Sequence, residues 1–275
     1  MSPRIVLASC AIVASLTLTP CSGGDETKKP DKTAPADLAL EVNALRTLYS
    51  LKATPEQAQA LLKIAKETVG PNKKREPTKV SAQYRNLLAE VRDALADDDE
   101  ERVESLEDQL EQLTITESPD LDDDVEITDA ARKHAPKVLK QFKAPQVACF
   151  IGALADQVID PRERLLEALD KVRGWRLAEW PAQRDALGDQ IGLLVGGVDR
   201  AKSDKVRDAV IDLLARARTL NDDDFDAKRG DLERVAERLA AQVGPTDVLR
   251  HVVEHALAEL LSNPRVAEVL KARAK

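Results

Sequence analysis

The sequence predicts an all-α protein of about a dozen helices, built as stacked helical hairpins in an irregular α-solenoid-like array or a bundle. Three observations carry this. After Ala36, apolar residues recur at three- and four-residue steps, as in Leu38, Val42, Leu45 and Leu48 and again in Leu87, Leu88, Val91 and Leu95. No stretch shows the strict alternation or β-branched clustering of a strand. Ala, Leu, Glu, Arg, Lys and Gln, all good helix formers, dominate the chain.

Composition sets the outer limits. The chain has 275 residues, 43% apolar, 33% charged and 3% aromatic, with a net charge of −8. That apolar content is too high for a disordered chain, and 3 Cys cannot make a disulfide framework. The acidic balance argues against a nucleic-acid partner, whose phosphates need a basic face.

Residues 1–20 read as a signal peptide. Arg4 precedes the uncharged apolar stretch Ile5–Leu18, which is too short to span a bilayer comfortably. Leu18-Thr19-Pro20-Cys21 sits where a bacterial lipoprotein carries its lipidated cysteine and resembles the lipobox, with Pro20 where that pattern has Gly, Ala or Ser. The resemblance implies lipidation at Cys21. Ordinary secretion, with Cys21 cut away or left free, is the alternative. Leu7-Ala8-Ser9-Cys10 also matches the pattern but leaves almost no apolar core upstream. Residues 21–36 are a polar, flexible tether of the kind that follows a lipid anchor. Any membrane attachment is therefore expected through the N-terminal lipid alone.

Residues 37–115 form an N-terminal helical region. Thr54-Pro55-Glu56-Gln57 is a capping box, with Pro at the first helical position. The acidic stretch Thr114–Thr128 separates it from a C-terminal helical region, 125–275, with hairpin repeats. There Pro145 and Pro161 open helices, Thr246 precedes an apolar run, and Asn263-Pro264 caps a last short helix. Gly70-Pro71, Gly174, Gly196-Gly197 and Gly244-Pro245 mark turns.

Two internal echoes suggest repetition. Leu213–Asp224 echoes Leu87–Asp99, and Arg173, Trp180 and Arg184 have the spacing of Arg218, Phe225 and Arg229, shifted by 45. Each copy reads as helix, turn, helix, and such pairs bury their apolar faces by stacking on a neighbour.

Four features could carry chemistry. His251-Val252-Val253-Glu254-His255 matches the H-x-x-E-H pattern of inverted zinc peptidases. His251 and His255 could share a metal and Glu254 activate water. The apolar positions Leu249, Val252, Val253, Ala256, Leu257 and Leu260 instead place both His on an opposite, solvated face. No metal and no cofactor is expected. Asp222, Asp224, Asp226 and Glu233 fall at positions one, three, five and twelve of a calcium loop, but Ala227 stands where the loop needs Gly. The plainer reading makes Asp222–Asp224 helix caps. Cys149 is expected as a small buried hydrophobe. Trp175, Trp180 and Arg184, with Arg173 and Arg176, form an aromatic–arginine set that is either a protein-binding hot spot or the capped edge of a core.

Leu51-Lys52-Ala53-Thr54-Pro55-Glu56-Gln57, followed by Leu61, Leu62 and Ile64, resembles the L-T-x-x-Q segment of the Spy/CpxP periplasmic proteins, with Ala53 in place of the Leu before Thr. Those proteins are exported, all-helical, ATP-independent chaperones or stress-sensor inhibitors. The resemblance implies an exported helical protein.

The functional expectation is a non-catalytic, exported, lipid-anchored helical scaffold or protein-binding module of the cell envelope, with a protein partner. The alternative is a Spy-like chaperone, and after it a zinc hydrolase using His251, Glu254 and His255.

Overall fold

Twelve α-helices follow one another among the described residues, and no strand does. The structure is a computed structural model that describes residues 33–70, 79–119, 121, 123–154 and 158–274. The segments expected as a signal peptide (residues 1–20) and, for the most part, a tether, together with Cys21, Pro71 and Asp122, lie outside them.

In chain order the helices are α1 (Pro35–Ser50), α2 (Pro55–Thr68), α3 (Ala82–Ala96), α4 (Glu100–Glu117), α5 (Asp129–Leu139) and α6 (Ala144–Ala153). They continue as α7 (Pro161–Lys171), α8 (Trp180–Gly196), α9 (Arg200–Thr219), α10 (Asp222–Ala240), α11 (Pro245–Ser262) and α12 (Val266–Arg273). The polar stretch expected from Thr114 onward begins as helix, since α4 runs on to Glu117.

Local chemistry starts most of these helices. Thr54 Oγ1 accepts from Gln57 N–H at 3.3 Å while Thr54 N–H donates to Gln57 Oε1 at 2.9 Å, closing the predicted capping box. Ser81, Asp99, Thr128, Asp160 and Asp199 cap α3, α4, α5, α7 and α9 through their side chains. Pro161 and Pro245 occupy first helical positions, where the missing N–H costs nothing. The Gln57 side chain also reaches out of its own helix: its Nε2 donates to Gln141 C=O at 3.0 Å, and Gln146 Nε2 donates to Lys52 C=O at 2.9 Å. The Lys52–Gln57 segment thus ties the start of α2 to the start of α6.

Packing joins sequence neighbours and also the two ends of the described chain. α1 packs on α3 and α3 on α4, while α12 lies on α2 and α11 touches α1, α2, α5, α6 and α8. A strictly linear stack would lack that last set of contacts. Polar groups fix it. Asn263 Nδ2 donates to Leu40 C=O at 2.9 Å, and Arg265 Nε donates to the buried Glu41 carboxylate at 3.0 Å. Thr68 Oγ1 donates to Leu261 C=O at 2.9 Å. Buried side chains from both the N-terminal and C-terminal helices form one contiguous apolar cluster.

α8 and α9 pack closely, and glycine makes that possible. A Cβ at Gly192 would stand 2.8 Å from Ser203 O, and one at Gly196 only 2.5 Å from Ser203 Cα and N. Gly197 ends α8 at φ +67°, and a side chain there would meet the His251 ring at 2.6 Å.

The 45-residue echo has a structural counterpart. α7 and α8 correspond to α9 and α10: Leu165, Leu169, Leu187 and Ile191 are buried, as are Val210, Leu214, Leu232 and Ala236 at the shifted positions. The 87–99 echo also relates two helical hairpins, but their acidic turns differ. Asp97 follows α3, Asp98 is left-handed and Asp99 caps α4, whereas Asp222–Asp224 already lie inside α10.

Candidate functional site

The aromatic–arginine set gathers where the α7–α8 link meets the α9–α10 turn. Trp175 and Trp180 stack with ring centroids 5.9 Å apart and tilted by 37°. The Arg218 guanidinium lies 4.9 Å and the Arg184 guanidinium 5.7 Å from the centre of the Trp180 ring. Arg173 lies over Phe225 at 5.1 Å and pairs with Asp222. Arg218 also donates to Val172 C=O at 2.8 Å, which holds the end of α7 against α9. These contacts fasten the edge of the core. Beyond them the link turns outward: Leu177 is 81% exposed, and the Arg176 side chain is 85% exposed, its nearest carboxylate Glu179 at 3.9 Å.

The α11 histidines are not on a solvated face, contrary to the sequence expectation. His251 to Glu254 are four consecutive buried residues, because α11 is packed on several sides by α1, α2, α5, α6 and α8. His251 shares a 2.9 Å hydrogen bond between Nδ1 and Leu194 C=O, so Nδ1 carries the proton, and the opposite edge of its ring faces Gly197. His255 Nδ1 is shut off from solvent with no hydrogen-bond partner. Burial, reinforced by the Arg132 charge, pushes His255 down to about 4, so it is neutral at pH 7. Burial raises the Glu254 carboxyl, against the pull of Arg250 3.8 Å away. One turn on, burial and the charges of Asp123 and Asp124 push Glu259 up to about 6. With Nδ1 spent on Leu194 C=O, only Nε2 of His251 remains as a ligand nitrogen. Among the described residues no group of three His, Cys, Asp or Glu side chains is placed to hold a metal.

The acidic turn at 222–224 differs from the sequence expectation in detail. The N-cap of α10 is Asn221, whose Oδ1 accepts from Asp224 N–H at 2.8 Å. The three Asp residues occupy the first helical turn, where their charge favours the dipole. Residues 222–240 are one helix, so the carboxylates at calcium-loop spacing are strung along it instead of enclosing an ion. Glu233 accepts from Arg229 Nε at 2.8 Å.

Cys149 is exposed, where the sequence predicts a buried thiol. α6 buries only Phe150 among its residues, since it rests on α1 and α11 along one narrow edge.

Sequence reasoning missed one arrangement. A polar hollow of about 210 Å³ opens between the first turns of α5 and α9, lined by Glu126, Ile127, Arg132, Arg200, Ser203 and Asp204. None of these belongs to a motif, and the two halves are far apart in the chain. Only the helix N-caps Thr128 and Asp199 were there to be read.

The chain matches no protein-family model, no curated protein and no solved structure.

Proposed function

We propose that this chain is an exported, lipid-anchored helical scaffold that binds a protein partner through the corner formed by Trp175, Leu177, Trp180 and Arg184. Export and anchoring rest on Arg4, Ile5–Leu18 and Cys21, all outside the described residues. No helix among the described residues is long and apolar enough to cross a membrane.

The observation that carries the binding reading is the exposed Leu177 beside stacked tryptophans that arginines hold in place. Rigid aromatic and arginine side chains next to an exposed apolar residue are the composition of an interface hot spot, because little side-chain entropy remains to be lost on docking.

The test is a crosslinking pull-down from envelope extract using the mature chain, in parallel with Leu177→Asp and Arg176→Glu variants. A defined partner should be captured by the parent and lost from the Leu177→Asp variant, with circular dichroism unchanged. Equal capture by all three chains would overturn the assignment.

A further inference from the structure

The hollow between α5 and α9 lies apart from the Trp175–Trp180 corner, and what it binds does not depend on any partner there. One of its side chains, Arg132, stands out. Among the described residues the Arg132 side chain makes no hydrogen bond and no ion pair within 4 Å, and its Nε is closed to solvent. A guanidinium presents its N–H donors in a fixed fork, and leaving the buried Nε–H without an acceptor is costly. Arg200 faces Arg132 across the hollow and is only loosely balanced, by Asp129 at 3.9 Å and Asp204 at 3.7 Å. Burial and the Arg200 charge act against the charge on Arg132, while Asp129 and Asp204 favour it. Ser203 lies at the same wall, in the first turns of α9.

α5 begins at Asp129 and α9 at Arg200, so the residues lining the hollow come from the start of each helix and the segment just before α5. Two arginines and Ser203 line one small volume. Against them stand Glu126 and Asp204 on the lining, with Asp129 beside Arg200. That opposing charge disfavours a multiply charged anion such as phosphate. A singly charged group with two coplanar oxygens meets the arginine fork and adds the least repulsion.

We propose that the hollow between the first turns of α5 and α9 is a carboxylate-binding site in which the Arg132 fork takes both oxygens, with Ser203 Oγ and Arg200 beside it. The carboxylate is either a free small acid or the C-terminus of a peptide chain, since both present the same group.

The experiment follows the Arg132 Nε–H resonance of the purified mature chain, assigned by its loss in Arg132→Lys. The probes are acetate, N-acetyl-trialanine, the C-terminal amide of that peptide, and inorganic phosphate. The expected result is a saturable shift with acetate and the peptide acid and none with the amide. Tighter binding of the peptide acid than of acetate identifies a chain terminus, and equal binding identifies a free acid. Arg132→Lys, which keeps the charge and loses the fork, should weaken binding by about tenfold, read by calorimetry. Ser203→Ala, which keeps the arginine, should weaken it by about threefold and serves if Arg132→Lys fails to fold. No saturable shift, phosphate tighter than acetate, amide equal to acid, or unchanged affinity in a folded Arg132→Lys or Ser203→Ala variant would each overturn the proposal.

Discussion

Arg218 places its guanidinium 4.9 Å from the centre of the Trp180 ring, while Arg173, its counterpart 45 residues earlier, lies 5.1 Å from Phe225, the counterpart of Trp180. Each half of the repeat therefore supplies the cation for the other half's ring. The exchange locks α7–α8 to α9–α10 at the end where the Leu177 link projects.

The lock should be measurable. A double-mutant cycle between Arg218→Gln and Trp180→Leu is expected to give a coupling of about 0.5–2 kcal/mol in urea melts. Arg218→Gln alone should cost more than the coupling, because the Val172 carbonyl loses its donor as well. Strict additivity of the two changes would mean that the stack holds nothing.

Glycine substitutions should have opposite signs at different places. Gly196→Ala drives a methyl into the Ser203 backbone and is expected to cost about 1–3 kcal/mol or more. Gly230 sits exposed within α10, and a methyl added there would meet nothing within 4 Å. Gly230→Ala should therefore stabilise the protein by about 0.5–1 kcal/mol. Thermal melts of the two variants provide the comparison.

His255 and Glu259, one turn apart on α11, give a pH signature. Glu259 is raised from 4.5 to about 6, so the stability it contributes is fully present below pH 4.5 and is lost as pH rises through 6, about 2 kcal/mol in all. His255 is lowered from 6.5 to about 4, so its contribution is present above 6.5 and is lost as pH falls through 4, about 3 kcal/mol in all. Between 4.5 and 6 the two slopes oppose and cancel. Glu259→Gln should therefore be more stable than the parent by roughly 2 kcal/mol at pH 7.5 relative to pH 4, and should lose stability steadily on acidification from 6.5. A parent and variant with parallel pH profiles would contradict this.

Cap chemistry separates Asn221 from its acidic neighbours. Asn221→Ala should cost about 0.5–2 kcal/mol, and Asp223→Ala, which removes only a first-turn charge, about 0.3–1 kcal/mol. Calcium should raise the melting temperature no further than magnesium at matched ionic strength, because the carboxylates from Asp222 to Glu233 lie along one helix. A saturable, calcium-selective rise abolished by Glu233→Gln would speak against the capping role.

The all-α class and most helix starts were determined by the sequence alone, because their causes are local. Thr54 meets Gln57 within a single turn, and Pro161 needs only its own φ to begin a helix. A helix face is a different matter. The spacing around His251 and His255 described one apolar stripe correctly, yet α11 is enclosed by helices from distant parts of the chain, and burial on a second side depends on them. Cys149 fails in the opposite direction, on an apolar helix that touches its neighbours along one edge. The shift of the α10 cap from the Asp cluster to Asn221 is a one-residue difference in where the backbone enters the helix, which composition does not encode. The Arg132–Ser203 hollow and the Arg218–Trp180 exchange were decided by the tertiary structure alone, since each joins side chains that come together only after α5, α7, α8 and α9 have packed.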